Sequence, residues 1–315
     1  MITNKSKIGV TSRTFSRSED LRKNLEKNFS NVKYNQDGIH FNEDNLVSFL
    51  SDCEGAIISG ENLSRKVIDQ LPNLRIVSKF GVGVDTIDVK YLQKKGIYFH
   101  WKPGTNANSV AELALSYIIL MTREAQILNR ELISGNWSKV KNSKELSELV
   151  IGIIGFGEIG RRLAQYLMAH KSDILVYDPY IQNLEPKSDA INFISLNKLL
   201  RKSDAVSLHL PLTNETEGLI NKDKLKMMKK GSFLINLSRG GIVNEQDLID
   251  ALRSEHLGGA AVDVFKNEPS NCPKLVELRT CFSTPHIAGT SNYASSQLGL
   301  NAINGLIENI KTNGD

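Results

Sequence analysis

The feature that most constrains this chain is a set of three glycines, Gly155, Gly157 and Gly160, between an apolar run and a helical pattern. The run Leu149–Ile154 has the composition of a buried strand, and Arg161–Leu167 has apolar residues at helical spacing. Glycines at these positions allow a tight turn, a close approach of a ligand to the backbone, and close packing of the helix on the strand. The sequence therefore predicts a phosphate-binding turn at a helix N-terminus, where backbone N–H groups and the helix dipole favour an anion.

The residue at the end of the next predicted strand narrows the choice of ligand. The strand Ile174–Tyr177 is followed by Asp178, at the distance from the glycines that a dinucleotide-binding βαβ unit requires. A carboxylate at this position accepts hydrogen bonds from the adenosine ribose hydroxyls and repels a 2′-phosphate. We therefore expect NAD as the cofactor in preference to NADP. For Arg161 the sequence leaves two interpretations open, a pyrophosphate contact or a solvent-facing helix residue.

The rest of the chain predicts parallel sheets, because short apolar runs alternate with helical patterns. In the first part, the predicted strands are Lys7–Val10, Ala56–Ser59, Arg75–Ser78 and Gly96–His100, with helices at Asp20–Asn28 and Leu63–Gln70. A long apolar helix from Ser109 to Arg123 is expected to cross between domains. In the second part, the further predicted elements are strands at Ala205–Leu210, Phe233–Asn236, Gly259–Asp263 and Thr280–Ser283, and a terminal helix from Tyr293 to Ile310.

These elements place the chain in the α/β class, as two Rossmann-like or flavodoxin-like parallel-sheet domains with a cleft between them. The expected dinucleotide-binding domain comprises residues 102–287. The expected substrate-binding domain comprises residues 1–101 and 288–315, because the terminal helix is expected to return to the first sheet. Closure of the two domains would exclude water from the site.

Composition and charge argue against several classes of protein. The 315 residues carry 39 basic and 35 acidic side chains, a net charge of +4, and no block of like charges that would indicate a nucleic-acid partner. The three cysteines, Cys53, Cys272 and Cys281, lack the CxxC spacing of a zinc site and the pattern of a disulfide framework. No apolar stretch reaches the roughly 18 residues that span a bilayer, and we expect no secretory signal at the N-terminus because its first residues have no apolar core. We therefore expect a cytoplasmic protein with no metal, no membrane and no nucleic-acid partner.

Three polar clusters directly follow predicted strands of the second domain, namely Asn236–Gly241, Asp263–Pro269 and Thr284–Gly289. The carboxyl ends of parallel strands lie at one edge of a sheet, which is where doubly wound folds bind ligands. Arg239, Glu268 and His286 are therefore candidates to converge beside the cofactor. Singly, each also has a structural interpretation, as a surface arginine, a helix end or a structural histidine.

Together, the clusters and several further motifs are similar to one enzyme family. The motifs are Lys79–Asp88 (KFGVGVDTID), Pro103–Asn106 (PGTN), Ser109–Leu113 (SVAEL), Gly155–Arg162 (GFGEIGRR) and Leu208–Thr213 (LHLPLT). In this combination the chain resembles the D-isomer-specific 2-hydroxyacid dehydrogenases, and within them the phosphoglycerate dehydrogenase-like branch. The resemblance implies a homodimer built on the NAD-binding domain.

The resemblance also implies roles for individual residues. It makes Arg239, Glu268 and His286 the catalytic residues. It assigns the substrate carboxylate to the backbone at Val82 and Gly83, with Lys79 and Arg239 also at the substrate. It assigns contacts with NAD to Gly155, Gly157, Glu158, Ile159, Gly160, Arg161, Asp178, His209, Pro211, Thr216 and Asp263, the last of them beside the nicotinamide carboxamide.

The three catalytic candidates suit the reduction of a 2-oxo acid, which needs a hydride at the carbonyl carbon and a proton at its oxygen. NADH supplies the hydride. An imidazole exchanges protons readily near neutral pH, so His286 is the candidate proton donor. Glu268 is expected to hydrogen-bond the other ring nitrogen and fix its tautomer, and Arg239 to orient the substrate and polarise its carbonyl group.

The substrate and one alternative class of function stay open. Two residues differ from the common family pattern. Lys102 stands where the family often has a small or polar residue, and Thr86 stands where Asn is frequent. Lys102 has two interpretations, a contact that favours a phosphorylated or dicarboxylic acid, or an outward-facing lysine. Besides 3-phosphoglycerate and 3-phosphohydroxypyruvate, the substrates of hydroxypyruvate or glyoxylate reductases, D-lactate-type enzymes and phosphite dehydrogenases are candidates. A non-enzymatic NADH-sensing corepressor or scaffold on the same fold is the alternative from another class, although all three catalytic positions are filled.

Overall fold

The computed structural model describes residues 1–139, 143–181, 190–269 and 272–310. The chain divides into two compact units. The first comprises Met1–Asn106 and the segment that begins at Thr290, and the second comprises Ala107–Gly289. The expected boundaries lay after residues 101 and 287. In the structure they fall where the long helix of the second unit begins and just after the loop that contains His286.

Parallel strands form the sheet of the first unit. Within its described residues they are β1 (Lys7–Val10), β2 (Asn31–Tyr34), β3 (Gly55–Ile58), β4 (Ile76–Lys79) and β5 (Tyr98–His100), in the spatial order β2-β1-β3-β4-β5. β3 and β4 are buried along their whole length, as expected for strands that are covered on both faces. Because β1 lies between β2 and β3, the order of the strands reverses there, and open α/β sheets bind ligands outside the carboxyl ends of the strands at such a point.

The described helices of this unit are α1 (Arg13–Arg17), α2 (Glu19–Glu26), α3 (Glu43–Leu50), α4 (Arg65–Asp69) and α5 (Val89–Lys94), with a terminal helix at Asn292–Ile307. Most begin at a polar cap, since Ser12, Ser18, Asn42 and Asp88 each accept a hydrogen bond from a first-turn N–H group. The terminal helix packs on the same sheet, where Ser78 Oγ donates to the Ala302 carbonyl at 2.7 Å. The chain therefore returns to its first unit through this helix.

The second unit has a larger parallel sheet. Its described strands are β6 (Val150–Ile154), β7 (Asp173–Tyr177), β8 (Ile191–Phe193), β9 (Ala205–Leu208), β10 (Phe233–Asn236), β11 (Gly259–Val262) and β12 (Cys281–Ser283), in the spatial order β12-β11-β10-β9-β6-β7-β8. β6 lies between β9 and β7, so the order of the strands reverses at β6. Gly155 directly follows this strand, which places the glycine turn where such sheets bind ligands.

Helices cover both faces of this sheet. The described ones are α6 (Ala107–Thr122), α7 (Ala125–Ile133), α8 (Glu158–Ala169), α9 (Leu196–Lys202), α10 (Lys222–Met227), α11 (Glu245–Arg253) and α12 (Pro273–Val276), with a short 3-10 helix at Leu146–Glu148. Ile153 and Ile154, neighbours on β6, belong to different hydrophobic clusters, because successive side chains of a strand point to opposite faces. α6 packs in the same cluster as Ile153, through Val110, Ala114 and Met121 at helical spacing.

The structure confirms the predicted fold class and adds elements that the sequence patterns missed. The missed strands lie at sheet edges: β2 has a half-exposed polar sequence, and β8 is only 3 residues long. The missed helices are short, at 4 to 9 residues, and include α1, α3, α5, α7, α9, α11 and α12. The predicted strand Ala205–Leu210 was too long, since β9 ends at Leu208, and the terminal helix ends at Ile307 instead of Ile310.

Candidate active site

The turn after β6 has a geometry that requires glycine at two positions. Gly155 has φ = 93°, and a Cβ atom there would lie 2.3 Å from the carbonyl oxygen of His209. A Cβ atom on Gly160 would lie 2.2 Å from the carbonyl oxygen of Gly155. At Gly157, no atom of the described residues beyond its chain neighbours lies within 4 Å of that position. The turn is therefore closed at Gly155 and Gly160 and open at Gly157, where a pyrophosphate has room to approach.

α8 begins in this turn and presents its first N–H groups to the open side. Its N-cap residue is Gly157, which has no side chain to accept from Glu158, Ile159 or Gly160. The first N–H groups of a helix have no partner within the helix, so they and the helix dipole suit an anion. Arg161 is exposed, and its guanidinium carbon lies 5.1 Å from the centroid of the Phe156 ring. Its contact with a pyrophosphate stays a prediction.

Asp178 braces the glycine turn from the end of β7. The residue is only 9% exposed, and its Oδ2 accepts the Phe156 backbone N–H at 2.8 Å. Its Oδ1 accepts the Tyr180 backbone N–H at 2.9 Å. Each carboxylate oxygen keeps a second lone pair, so Asp178 fits the proposed contact with ribose hydroxyls while it also holds the turn.

His209 contacts the same turn from the loop after β9. Its backbone N–H donates to the Ile154 carbonyl at 2.8 Å, and its Nε2 lies 2.9 Å from Ser207 Oγ. Burial lowers the pKa of His209 to about 3, so the ring is neutral near physiological pH. Its Nδ1 is buried and has no hydrogen-bond partner among the described residues. A polar group of a bound cofactor would satisfy this nitrogen, so His209 fits the contact that the resemblance implies.

Pro211 and Thr216 shape the rest of this loop. Thr216 Oγ1 donates to the Pro211 carbonyl at 2.6 Å and accepts the Thr213 backbone N–H at 2.8 Å. Both contacts lie within the loop, so its conformation is set locally. The contacts of Pro211 and Thr216 with NAD stay a prediction.

Glu268 and His286 belong to different sequence clusters and are in contact in the structure. His286 Nδ1 lies 2.6 Å from Glu268 Oε2. Glu268 Oε1 accepts the Phe265 backbone N–H at 3.0 Å, which holds the carboxylate in place. Because an ionised carboxylate only accepts, we assign the hydrogen to Nδ1, which leaves Nε2 for another partner. The side chains of His286 and Glu268 are 51% and 35% exposed, so a ligand can reach the pair.

One buried carboxylate, that of Asp263, organises the loop that carries His286. Its Oδ1 accepts from Thr284 Oγ1 at 2.5 Å and from the Ile287 N–H at 2.8 Å. Its Oδ2 accepts the Ala288 N–H at 2.8 Å, and its backbone carbonyl accepts the His286 N–H at 2.8 Å. These bonds hold His286 at φ = 54°, in the left-handed region, which costs a non-glycine residue roughly 1–2 kcal/mol. Asp263 therefore fixes the backbone from which the imidazole projects.

This arrangement changes the interpretation of Asp263. The resemblance implied a contact between Asp263 and the nicotinamide carboxamide. In the structure the residue is 0% exposed, and three donors already occupy its two carboxylate oxygens. The Tyr117 hydroxyl lies 2.8 Å from Thr284 Oγ1 and extends this network. Asp263 is thus a positioning residue for the His286 loop, and its contact with nicotinamide stays a prediction.

Arg239 lies in a loop that packs directly against the segment containing Glu268. Asn236 Nδ2 donates to the Arg239 carbonyl at 3.1 Å, which closes the loop after β10. A Cβ atom on Gly240 would lie 1.8 Å from the Phe265 carbonyl oxygen, so the two backbones approach as closely as glycine allows. Arg239 Nη1 donates to the Ser238 carbonyl at 2.7 Å. The three polar clusters therefore converge at one edge of the sheet.

In the first unit, the segment after β4 contains the residues that the resemblance places at the substrate. The Val82 carbonyl accepts a hydrogen bond from Trp101 Nε1 at 2.8 Å, which restrains the backbone of Val82 and Gly83. Lys79 is only 6% exposed, and its Nζ donates to the Ser59 carbonyl. The contacts of Lys79, Val82 and Gly83 with substrate stay predictions.

Trp101 is a residue that the sequence analysis missed. Its neighbour Lys102 drew attention by its charge, and Lys102 is exposed in the structure. Trp101 is 39% exposed and reaches Val82 across 19 residues of sequence. The sequence shows a large aromatic side chain before Lys102-Pro103, which could have marked Trp101 as a functional candidate. Its partner, Val82, is too distant in sequence to be identified from the pattern alone.

The described residues hold no candidate metal cluster and no candidate membrane span. In those ranges, no three or more His, Cys, Asp and Glu side chains group in a way that could hold a metal ion. No helix there combines the length and the apolar composition that crossing a membrane requires. Among the described residues, Cys53, Cys272 and Cys281 form no disulfide bond.

Comparison with known proteins identifies the family. The family model for the NAD binding domain of D-isomer specific 2-hydroxyacid dehydrogenases matches residues 115–288. The model for the catalytic domain of the same family matches residues 10–151.

Individual relatives agree with these matches. The chain is 32% identical over 270 residues to a hydroxypyruvate reductase of Thermotoga maritima, which covers 84% of this chain and 87% of that protein. It is 32% identical over 258 residues to a D-3-phosphoglycerate dehydrogenase of Mycobacterium bovis, covering 81% of this chain and 49% of that longer protein. The crystal structure of a D-lactate dehydrogenase from Aquifex aeolicus, complexed with NAD and lactic acid, is 25% identical with a TM-score of 0.80, covering 96% and 94% of the two chains.

The glycine turn, the Asp178 carboxylate that braces it and the matched NAD binding domain agree on the cofactor, which is NAD. The family matches and the similarity to a hydroxypyruvate reductase confirm the predicted class of activity, an NAD-dependent oxidoreductase acting on CH–OH groups. The chain belongs to the D-isomer-specific 2-hydroxyacid dehydrogenase family.

Proposed function

We propose that this protein reduces a 2-oxo acid to a D-2-hydroxyacid with NADH, and catalyses the reverse oxidation with NAD, through Arg239, Glu268 and His286. The observation that carries the proposal is the 2.6 Å contact between His286 Nδ1 and Glu268 Oε2. It commits one ring nitrogen to a carboxylate and leaves the other for substrate, as general acid–base catalysis requires. A non-enzymatic NADH sensor has no need of such a pair, so we do not favour the scaffold alternative.

The proton step follows from this geometry. In the reducing direction, the bound dinucleotide supplies a hydride to the carbonyl carbon. His286 donates the proton on Nε2 to the carbonyl oxygen, so the C=O π bond is replaced by new C–H and O–H bonds and the imidazole becomes neutral. The Glu268 carboxylate stabilises the charged ring before the transfer and keeps it oriented. In the oxidising direction, neutral Nε2 accepts the hydroxyl proton.

Arg239 supplies the positive charge of the proposed site. Its guanidinium group is always charged and presents a planar fork of N–H donors, which matches carboxylate and carbonyl oxygens. The close approach of Gly240 to the Phe265 carbonyl supports its placement beside the Glu268 segment. We assign Arg239 to orienting the substrate and polarising its carbonyl group.

Within this reaction class, we propose a phosphorylated substrate of the 3-phosphoglycerate and 3-phosphohydroxypyruvate type. The GVGVD, SVAEL and GFGEIG segments and the similarity to a D-3-phosphoglycerate dehydrogenase support this choice. The competing substrates are hydroxypyruvate, glyoxylate and pyruvate. Hydroxypyruvate is favoured by the similarity to a hydroxypyruvate reductase, and pyruvate by the similarity to a D-lactate dehydrogenase.

The test is NADH oxidation, followed by absorbance, with 3-phosphohydroxypyruvate, hydroxypyruvate, glyoxylate and pyruvate. We expect the highest kcat/KM with 3-phosphohydroxypyruvate. A higher kcat/KM with an unphosphorylated acid would reject the substrate assignment and keep the reaction class. No oxidation with any of the four acids would contradict the reaction class itself. Oxidation of the D but not the L enantiomer of the product would test the stereochemistry.

We also propose a homodimer formed through the second unit. Leu132, Ile133 and Trp137, in α7 and just after it, are 56%, 78% and 84% exposed. Apolar side chains exposed as a group are typical of a protein interface. Light scattering should therefore give twice the chain mass of 35.0 kDa, and Ile133→Glu should shift the protein toward that single-chain mass. A wild-type mass equal to one chain would reject the dimer.

For location, we propose the cytoplasm. Cys53, Cys272 and Cys281 form no disulfide bond among the described residues, which suits a reducing compartment. Cell fractionation would test this, and recovery of the protein outside the cytoplasmic fraction would contradict it.

A further inference from the structure

A side-chain bridge joins the two loops that flank the glycine turn. β7 and β9 both pair with β6, so the loops that follow them lie on either side of the turn that follows β6. The hydroxyl group of Tyr180, after β7, donates to Glu215 Oε2, after β9, at 3.0 Å. β7 and β9 are two interstrand spacings apart, roughly 10 Å, so long side chains are needed to make this contact. We call Tyr180 and Glu215 the clasp.

The tyrosine end of the clasp is held directly beside Asp178. The backbone N–H of Tyr180 donates to Asp178 Oδ1 at 2.9 Å. The other oxygen of this carboxylate accepts the Phe156 N–H of the glycine turn at 2.8 Å. One carboxylate therefore ties the backbone of Tyr180 to the turn. Because Asp178 is the residue proposed to bind the adenosine ribose, Tyr180 lies within reach of the adenosine half of NAD.

The glutamate end of the clasp lies in a turn whose backbone is fixed by local hydrogen bonds. The N–H groups of Thr216 and Glu217 donate to the Thr213 carbonyl at 3.1 Å and 2.9 Å. The Glu215 N–H donates to Thr213 Oγ1 at 3.3 Å. The Glu215 carboxylate therefore projects from a preformed turn, and its hydrogen bond restrains the tyrosine ring.

The ring of Tyr180 is restrained and yet uncovered. Tyr180 is 82% exposed, although its hydroxyl group is hydrogen-bonded. An aromatic ring with free faces suits a flat ligand, because nucleobases stack on aromatic side chains. A ring that is already held in place loses less conformational entropy when the ligand binds. The clasp therefore offers a preorganised surface for a base at the adenosine end of the site.

We infer that the clasp closes over the adenosine half of bound NAD, with the Tyr180 ring packed against the adenine and Glu215 holding that ring in position. Tyr180 is then a cofactor-binding residue that none of the sequence motifs marks, and Glu215 is its positioning residue. The inference rests on the NAD site of the proposed function and is independent of the substrate. It makes the clasp a determinant of how tightly the cofactor binds and how fast it leaves.

The first test measures the affinities of Tyr180→Ala for NADH and for ADP-ribose, which lacks the nicotinamide, by calorimetric titration. Both affinities should fall roughly tenfold, since stacking on the ring is lost. The bond between residue 180 and Asp178 uses the backbone N–H, so the variant keeps it. The matched control is Tyr166→Phe, which removes a hydroxyl contact with Asn108 in the third turn of α8 and should keep both wild-type affinities.

Three results of this test would reject the inference. An unchanged or tighter affinity of Tyr180→Ala for NADH would show that the ring does not bind the cofactor. A loss for NADH without a loss for ADP-ribose would place the effect at the nicotinamide end. An equal loss in Tyr166→Phe would show that the effect is not specific to the clasp.

The second test asks whether Glu215 acts through Tyr180. The rate of NADH release is measured by stopped-flow fluorescence in Tyr180→Phe, Glu215→Ala and the double variant. Each single change removes the same hydrogen bond and should raise the rate roughly threefold. The double variant should show the same threefold increase, because the bond is already lost in either single variant. No increase in the single variants, or a double-variant increase equal to the product of the two, would reject the positioning role of Glu215.

These measurements separate the clasp from the proposed reaction, because they need no turnover. If NADH binds but no 2-oxo acid oxidises it, the proposed reaction fails, and the affinities and release rates still decide the inference. If the wild-type protein binds neither NADH nor ADP-ribose, the NAD site itself is refuted and the inference fails with it.

Discussion

Replacing Glu268 by Gln removes the negative charge beside His286 and keeps the shape of the side chain. The contact is a 2.6 Å charge-assisted hydrogen bond, and such bonds contribute roughly 1.5–3 kcal/mol. Both side chains are partly exposed, at 51% and 35%, so screening by solvent places the effect at the lower end of that range. Because about 1.4 kcal/mol corresponds to a tenfold change in rate, we expect Glu268→Gln to lower kcat/KM by about tenfold.

The assay is steady-state NADH oxidation with the best 2-oxo acid, together with NADH affinity from fluorescence titration. The loss in kcat/KM should leave NADH affinity unchanged and raise the solvent deuterium isotope effect, because proton transfer becomes slower. Glu245→Gln is the matched control: Glu245 Oε1 accepts the Lys266 N–H at 2.7 Å and so braces the same segment. Equal losses in both variants would show that Glu268 only braces the loop, and no loss in Glu268→Gln would refute the role of the ion pair.

Three further substitutions test other parts of the account. Asp178→Asn removes the charge that opposes a 2′-phosphate, so the ratio of the KM for NADPH to the KM for NADH should fall roughly tenfold; an unchanged ratio argues against this assignment. Trp101→Phe removes the donor to the Val82 carbonyl and should raise the KM for the 2-oxo acid by roughly fivefold with kcat nearly unchanged; a loss confined to kcat would contradict the positioning of that segment. Burial lowers the pKa of His209 from 6.5 to about 3, so between these pH values the unfolded state binds one more proton at this residue, and the contribution of His209 to the free energy of unfolding should fall by about 1.4 kcal/mol per pH unit on acidification. Urea denaturation of His209→Asn at several pH values should show a shallower slope, and an identical slope would contradict the buried neutral ring.

The glycine turn was predictable because its determinants are contiguous in sequence. Gly155, Gly157 and Gly160 act through backbone geometry that each residue shares with its immediate neighbours, and Asp178 follows from the length of one βαβ unit. The contact between Glu268 and His286 was predictable in part, because parallel strands bring their carboxyl ends to one edge of the sheet. Its distance and partners required the structure.

Other features depend on contacts that no sequence pattern encodes. Trp101 and Val82 are 19 residues apart and meet only when β4 and β5 pair. The interaction of Arg13 with His40 depends on an edge strand, β2, whose polar sequence hid it. The role of Asp263 in holding the His286 loop could not be predicted, because its burial and its three donors are properties of the folded loop. Local sequence patterns therefore identified the candidate catalytic and cofactor-binding residues. Long-range packing determined which other residues hold them in position.

The proposed mechanism depends on proton donation by His286 during reduction of the 2-oxo acid. The most direct test is a single-turnover measurement, in which NADH-loaded protein is mixed with the best 2-oxo acid and the loss of NADH absorbance is followed for the wild type and for His286→Ala. If His286 is the proton donor, the rate should fall roughly a hundredfold or more while the NADH affinity stays the same. A His286→Ala rate close to that of the wild type, with NADH still bound, would contradict it.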